Sequence, residues 1–128
     1  MSQNTASPAK LWRWFDPRSR GLGTWAFILN RITALGLTLY LFLHLVMLGQ
    51  LAQGPEAYAQ FLRFAHLPVI KVGEMLVIAG GLIHGLNGIR IVLTSFGVGT
   101  RYQRPIFAGL MLLVLVGLVF FGIKMFSV

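Results

Sequence analysis

The 128-residue sequence contains no cysteine. That excludes a disulfide framework, a thiolate-ligated or covalently attached haem, and an iron–sulfur cluster held by this chain's own thiolates. Acidic residues are nearly as scarce, three Asp and Glu against eleven Lys and Arg, for a formal net charge of +8. Charged residues make up 11% in all, where a soluble domain carries about a quarter. There is no Walker loop and no dinucleotide fingerprint. Any flavin, cluster or substrate site of a redox reaction must then lie on partner chains. What remains is apolar: 56% of the residues are hydrophobic and 15 are glycine. The composition implies one all-α, multi-pass membrane domain. Its basic residues flank apolar runs, the pattern of topology signals and headgroup contacts, and nucleic acid is not expected as a partner.

Residues 1–23 read as a polar segment, with Lys10, Arg13, Arg18 and Arg20 around an aromatic-basic patch at Trp12 and Trp14. Three transmembrane helices are predicted over about 25–51, 68–96 and 105–125. Ile32 to Leu51 is 20 residues without a formal charge, enough to cross roughly 30 Å of hydrocarbon. Pro55 to Pro68 is a connection in which Tyr58, Phe61, Leu62, Phe64 and Ala65 recur at spacings of three and four, predicting a short amphipathic interfacial helix. Pro68 suits a helix start, and Gly97-Val98-Gly99-Thr100 a stop. With three spans, the N-terminal segment and the second turn share one side and hold six basic residues against three on the other. The positive-inside rule places the N-terminus in the cytoplasm.

The chemistry concentrates in His84-Gly85-Leu86-Asn87-Gly88-Ile89-Arg90. Burying an arginine near a bilayer centre costs about 2.5–3.5 kcal/mol on insertion scales, and a histidine there needs a partner. A bound anionic cofactor that also takes an axial nitrogen would satisfy both, and haem b fits. Gly80, Gly81, Gly85 and Gly88 mostly share the face of His84 and would let a flat macrocycle approach. Tight helix–helix packing also explains the glycines, but not His84. His44 is a second ligand candidate, with an interfacial histidine bonded to water or headgroups as its alternative. It falls in the outer half of the first span and His84 nearer mid-membrane, so two haems fit better than one clamped between them. Arg31 and Arg90 are expected at similar depth, pairing with propionates or a quinone carbonyl, or else snorkelling to lipid phosphate. Trp25, Asn30 and Arg31 are candidate quinone contacts, and His66 reads as an exposed loop residue.

His84-x-x-x-Gly88-Ile89-Arg90, followed by Phe96-Gly97, resembles the signature of the cytochrome b556 membrane-anchor subunit of succinate dehydrogenase (succinate:quinone oxidoreductase, complex II). Trp25 to Thr33 resembles its other, weaker signature. The resemblance covers about Gly23 to Gly97 and the three-span plan. It implies that His84 is an axial haem b ligand and that Arg31 lies at the quinone site or a propionate. His44 and Asn87 resemble the two-haem, two-anchor branch, whose members often use menaquinone. The chain departs from the pattern at Phe27, Asn30, Ile91 and Ser95, where the family often has serine, histidine, histidine and aspartate; a serine contact to quinone at position 27 is therefore lost.

The chain is thus read as half of a helical haem-binding anchor bundle in a bacterial or archaeal cell membrane. The resemblance implies one or two b haems shared with a second anchor subunit. FAD and three iron–sulfur clusters would lie on a flavoprotein and an iron–sulfur subunit, and electrons would pass from succinate to quinone at the anchor. No residue here is expected to touch succinate. A quinol:fumarate reductase anchor and a haem-free structural anchor remain as alternatives, and a trimer of such complexes is left open.

Overall fold

A computed structural model of the chain describes residues 21–127. The N-terminal patch around Trp12 and Trp14, with the basic residues before Gly21, lies outside the described residues. Helix α1 spans Leu22–Leu51, α2 Pro55–Ala65, α3 Pro68–Ser95 and α4 Gln103–Phe126, the last preceded by a 3-10 turn at Thr100–Tyr102. Helices α1, α3 and α4 are the three apolar spans. Each is at least 24 residues long, more than the ~20 needed to cross the hydrocarbon.

Local chemistry sets the boundaries. Proline opens both α2 and α3, where its missing N–H is no loss. Gly97 and Gly99 take φ of 81° and 72°, left-handed values that favour glycine, and turn the chain from α3 into α4. Helix α1 begins three residues before the predicted Trp25, because Thr24 and Trp25 bond back to the Gly21 carbonyl. Hydropathy alone does not register that turn. The predicted interfacial helix is α2, and His66, its C-cap, is exposed.

Helix α3 is central and packs on α1 and α4. At its N-terminal end Lys71 Nζ donates to the Met125 carbonyl at 3.0 Å, tying the start of α3 to the last turn of α4, where a cation complements the helix dipole. The buried residues among those described are Ala26, Phe107, Val114, Asn87 and Arg90. Two of these five are polar, while most of the leucines, valines and phenylalanines face outward. That inverts a soluble core and suits a hydrocarbon solvent.

Candidate functional site

Two hydrogen bonds fix the register of α1 on α3. His84 Nδ1 lies 3.1 Å from the Asn30 backbone carbonyl. Three residues on, Asn87 Nδ2 donates to the Ala26 carbonyl at 2.9 Å. A carbonyl can only accept, so Nδ1 of His84 carries a proton, and in the neutral ring the lone pair is then on Nε2. Thr33 Oγ1 sits 3.4 Å from the same Nδ1 and is itself bonded to the Leu29 and Asn30 carbonyls. Asn30 Oδ1 is buried in this layer with no hydrogen-bond partner.

The glycines divide by face. Gly80 turns to α1, where an added Cβ would meet Leu37 at 3.8 Å. Gly88, Gly81 and Gly85 follow His84 round the helix at roughly 40°, 60° and 100°, on the side away from α4. A Cβ added at any of these three would meet nothing within 4 Å. His84 therefore borders an open, glycine-surfaced strip of α3. Its free Nε2 and the flat strip fit a planar macrocycle with an axial nitrogen. Among the described residues no three His, Cys, Asp or Glu gather, so iron would take a single nitrogen from this chain at each level.

The structure does not bring Arg90 to that strip. Six residues after His84, it sits roughly 120° round α3, on the α4 side. Its Nε donates to Asn87 Oδ1 at 2.9 Å, and its guanidinium lies 5.6 Å from the Phe107 ring centre. Nor are Arg31 and Arg90 at one depth. The register sets Arg90 opposite Gly21–Gly23, with which it lines one cavity, about 12 Å along α1 from Arg31. The helix rotation and register that decide this come from packing. Arg31 is exposed and stacks over Phe27 at 4.5 Å.

His44 lies 11 residues beyond Thr33, roughly 17 Å further along α1 than the level of His84. Tyr40, one turn earlier, is 3.3 Å from His44 Nδ1 through its hydroxyl, with ring centres 5.4 Å apart. Both line a cavity of about 510 Å³ between the end of α1, helix α2 and the start of α3, together with Met47, Tyr58, Phe61 and Glu74. The larger cavity thus belongs to His44, while His84 lies on an open face. Tyr40 went unremarked in the sequence; its i, i+4 spacing to His44 is the signal that finds it. Trp25, Asn30 and Arg31 fan out round α1: Asn30 turns toward α3, and Trp25 and Arg31 point roughly 120° apart on its outer side.

Comparison with known proteins places this geometry in a lineage. Residues 3–123 match the family model described as succinate dehydrogenase/fumarate reductase transmembrane subunit. The chain is 32% identical over 105 residues to the succinate dehydrogenase 2 membrane subunit SdhC of Mycobacterium tuberculosis, covering 81% of this chain and 73% of that one. It is 33% identical over 92 residues to the succinate dehydrogenase hydrophobic membrane anchor subunit of Halobacterium salinarum, covering 70% and 71%. The chain belongs to the succinate dehydrogenase/fumarate reductase transmembrane subunit family and is a membrane anchor of that class of complex.

Proposed function

We propose that this anchor is a cytochrome b: His84 Nε2 ligates one haem b, His44 ligates a second nearer the outer face, and quinone is reduced at the cytoplasmic side. His84 carries the reading. Its Nδ1 is engaged by the Asn30 carbonyl, and the helix face beside it is a strip of α3 that glycine leaves bare. Metal-ligating histidines almost always donate their other ring N–H in this way, which fixes the tautomer and raises ligand basicity. When bound, haem b supplies a one-electron carrier between clusters on the peripheral subunits and the quinone.

The chain's own residues hold and tune. The Asn30 carbonyl orients the His84 ring, and the Tyr40 hydroxyl and ring orient His44. Arg31, exposed on the flank of α1, offers its cation to a propionate or a quinone carbonyl. Asn30 Oδ1, buried and without a donor, can accept from a quinol hydroxyl, and Trp25 supplies an aromatic wall on the other side of α1. Each haem would receive one nitrogen from this chain, so a second anchor subunit supplies the opposing ligand and covers the exposed strip. Iron–sulfur and flavoprotein subunits complete a succinate:quinone oxidoreductase in the bacterial or archaeal cell membrane, N-terminus inside. The two-haem pattern favours menaquinone.

The test is absorbance of the assembled complex carrying His84→Ala or His44→Ala. Each variant is expected to lose a different b-type component while the subunits stay together. Full wild-type absorbance in both would leave a structural anchor only.

A further inference from the structure

Arg90 is 8% exposed, and among the described residues no carboxylate pairs with it. Its Nε is bonded to Asn87; among the described residues its terminal nitrogens have no hydrogen-bond partner. They open into a cavity of about 220 Å³ at the membrane face where α1 begins, lined also by Gly21, Gly23, Gln103, Arg104 and Phe107. The acidic residues among those described are Glu56 and Glu74. Glu74 lies at the far end of α3, about 24 Å of helix away.

The other donors at this cavity are also unmatched. Arg104 adds a second cation. Helix α1 starts here with no side-chain cap and no acid in its first turn. Thr24 and Trp25 bond back to Gly21, but among the described residues the amides of Leu22 and Gly23 have no acceptor. These amides carry the positive end of the helix dipole. Two arginines and the uncapped start of α1 thus border one cavity in which the described residues place no anion. Leaving a buried guanidinium unneutralised is costly, so the cavity is shaped for an oxyanion with several acceptor sites.

We infer that this cavity binds the phosphodiester of an anionic membrane phospholipid from the leaflet at which α1 starts. The site lies between three membrane helices at their basic end, where such headgroups concentrate. Exposed Leu22 and Tyr102 beside it continue as an apolar surface for the acyl chains. A haem propionate is the less suitable source, because Arg90 lies roughly 160° round α3 from Gly88 on the open strip. The inference needs no haem and stands apart from the cytochrome reading.

The test uses the purified complex, wild type and with Arg104→Gln and Arg104→Lys. Arg104 is at the exposed rim and leaves the Arg90–Asn87 bond intact. Phosphatidylglycerol retained per flavin after mild delipidation is counted by native mass spectrometry. Rebinding is measured against phosphatidylcholine and inorganic phosphate. Wild type is expected to retain and rebind phosphatidylglycerol selectively. Arg104→Gln should weaken rebinding about fivefold, the effect of one basic residue at an anionic surface, and Arg104→Lys should largely restore it, both with unchanged haem spectra. Equal retention by all three forms, equal rebinding of phosphatidylcholine, or saturation by inorganic phosphate alone would overturn the lipid assignment. A haem potential that moves in Arg104→Gln while lipid retention does not would overturn it in favour of a propionate.

Discussion

Replacing Asn87 by leucine should loosen the whole site, although Asn87 touches no ligand. The residue is fully buried. Its amide donates to the Ala26 carbonyl at 2.9 Å and its oxygen accepts from Arg90 Nε at 2.9 Å. It therefore joins α1 to α3 and, through Arg90 over Phe107, α3 to α4. Leucine keeps the branch at Cγ, is somewhat larger, and removes both bonds. An interhelical bond in a membrane is worth about 0.6 kcal/mol on average and up to about 1.7. A bond to a charged group contributes about 1.5–3 kcal/mol, and here its loss strands a buried guanidinium nitrogen. The gain from an extra apolar side chain is small, because lipid is as apolar as leucine. The net expectation is about 2–4 kcal/mol of destabilisation. The same change frees the α1–α3 register that brings the Asn30 carbonyl to His84, so haem affinity should fall about 10–100-fold, the usual effect of losing support around a metal ligand. Detergent-titrated unfolding with haem absorbance read in parallel measures both. An unfolding free energy within about 0.5 kcal/mol of wild type, with haem retained in full, would refute the clasp.

Two further substitutions separate the face proposed for haem from the fold itself. Gly85→Leu should assemble normally, since a Cβ there meets nothing, yet lose the His84 haem; full haem occupancy would show that the strip is not its seat. Gly99→Ala should destabilise the α3–α4 turn without touching haem, by about 1–3 kcal/mol for the left-handed backbone. The new Cβ would also come 2.8 Å from Ile106 Cδ1, and an unchanged melting temperature would count against that turn geometry.

Much of this was legible in the sequence. Charge-free runs of 20, 15 and 18 residues marked the three spans, and the spacing at Tyr58, Phe61 and Ala65 marked the interfacial helix. The spacing of Gly81, Gly85 and Gly88 to His84 marked the strip. What failed was rotation and register. Helices α1, α3 and α4 are apolar all round, so no periodicity says which face meets a neighbour. Arg31 and Arg90 were therefore expected in one layer, whereas the register separates them and turns Arg90 to Phe107. Asn87 was visible as a polar residue, but its partner is the main-chain carbonyl of Ala26, and a carbonyl has no sequence signature. Asparagine and arginine three residues apart on one helix were the available hint.

The most direct measurement is a pyridine haemochrome assay on the purified wild-type complex, with haem counted per flavin. Two b haems per flavin are expected, one at the level of His84 and one at His44. One haem would contradict the outer site and leave His44 a structural residue. No haem would contradict the cytochrome reading itself.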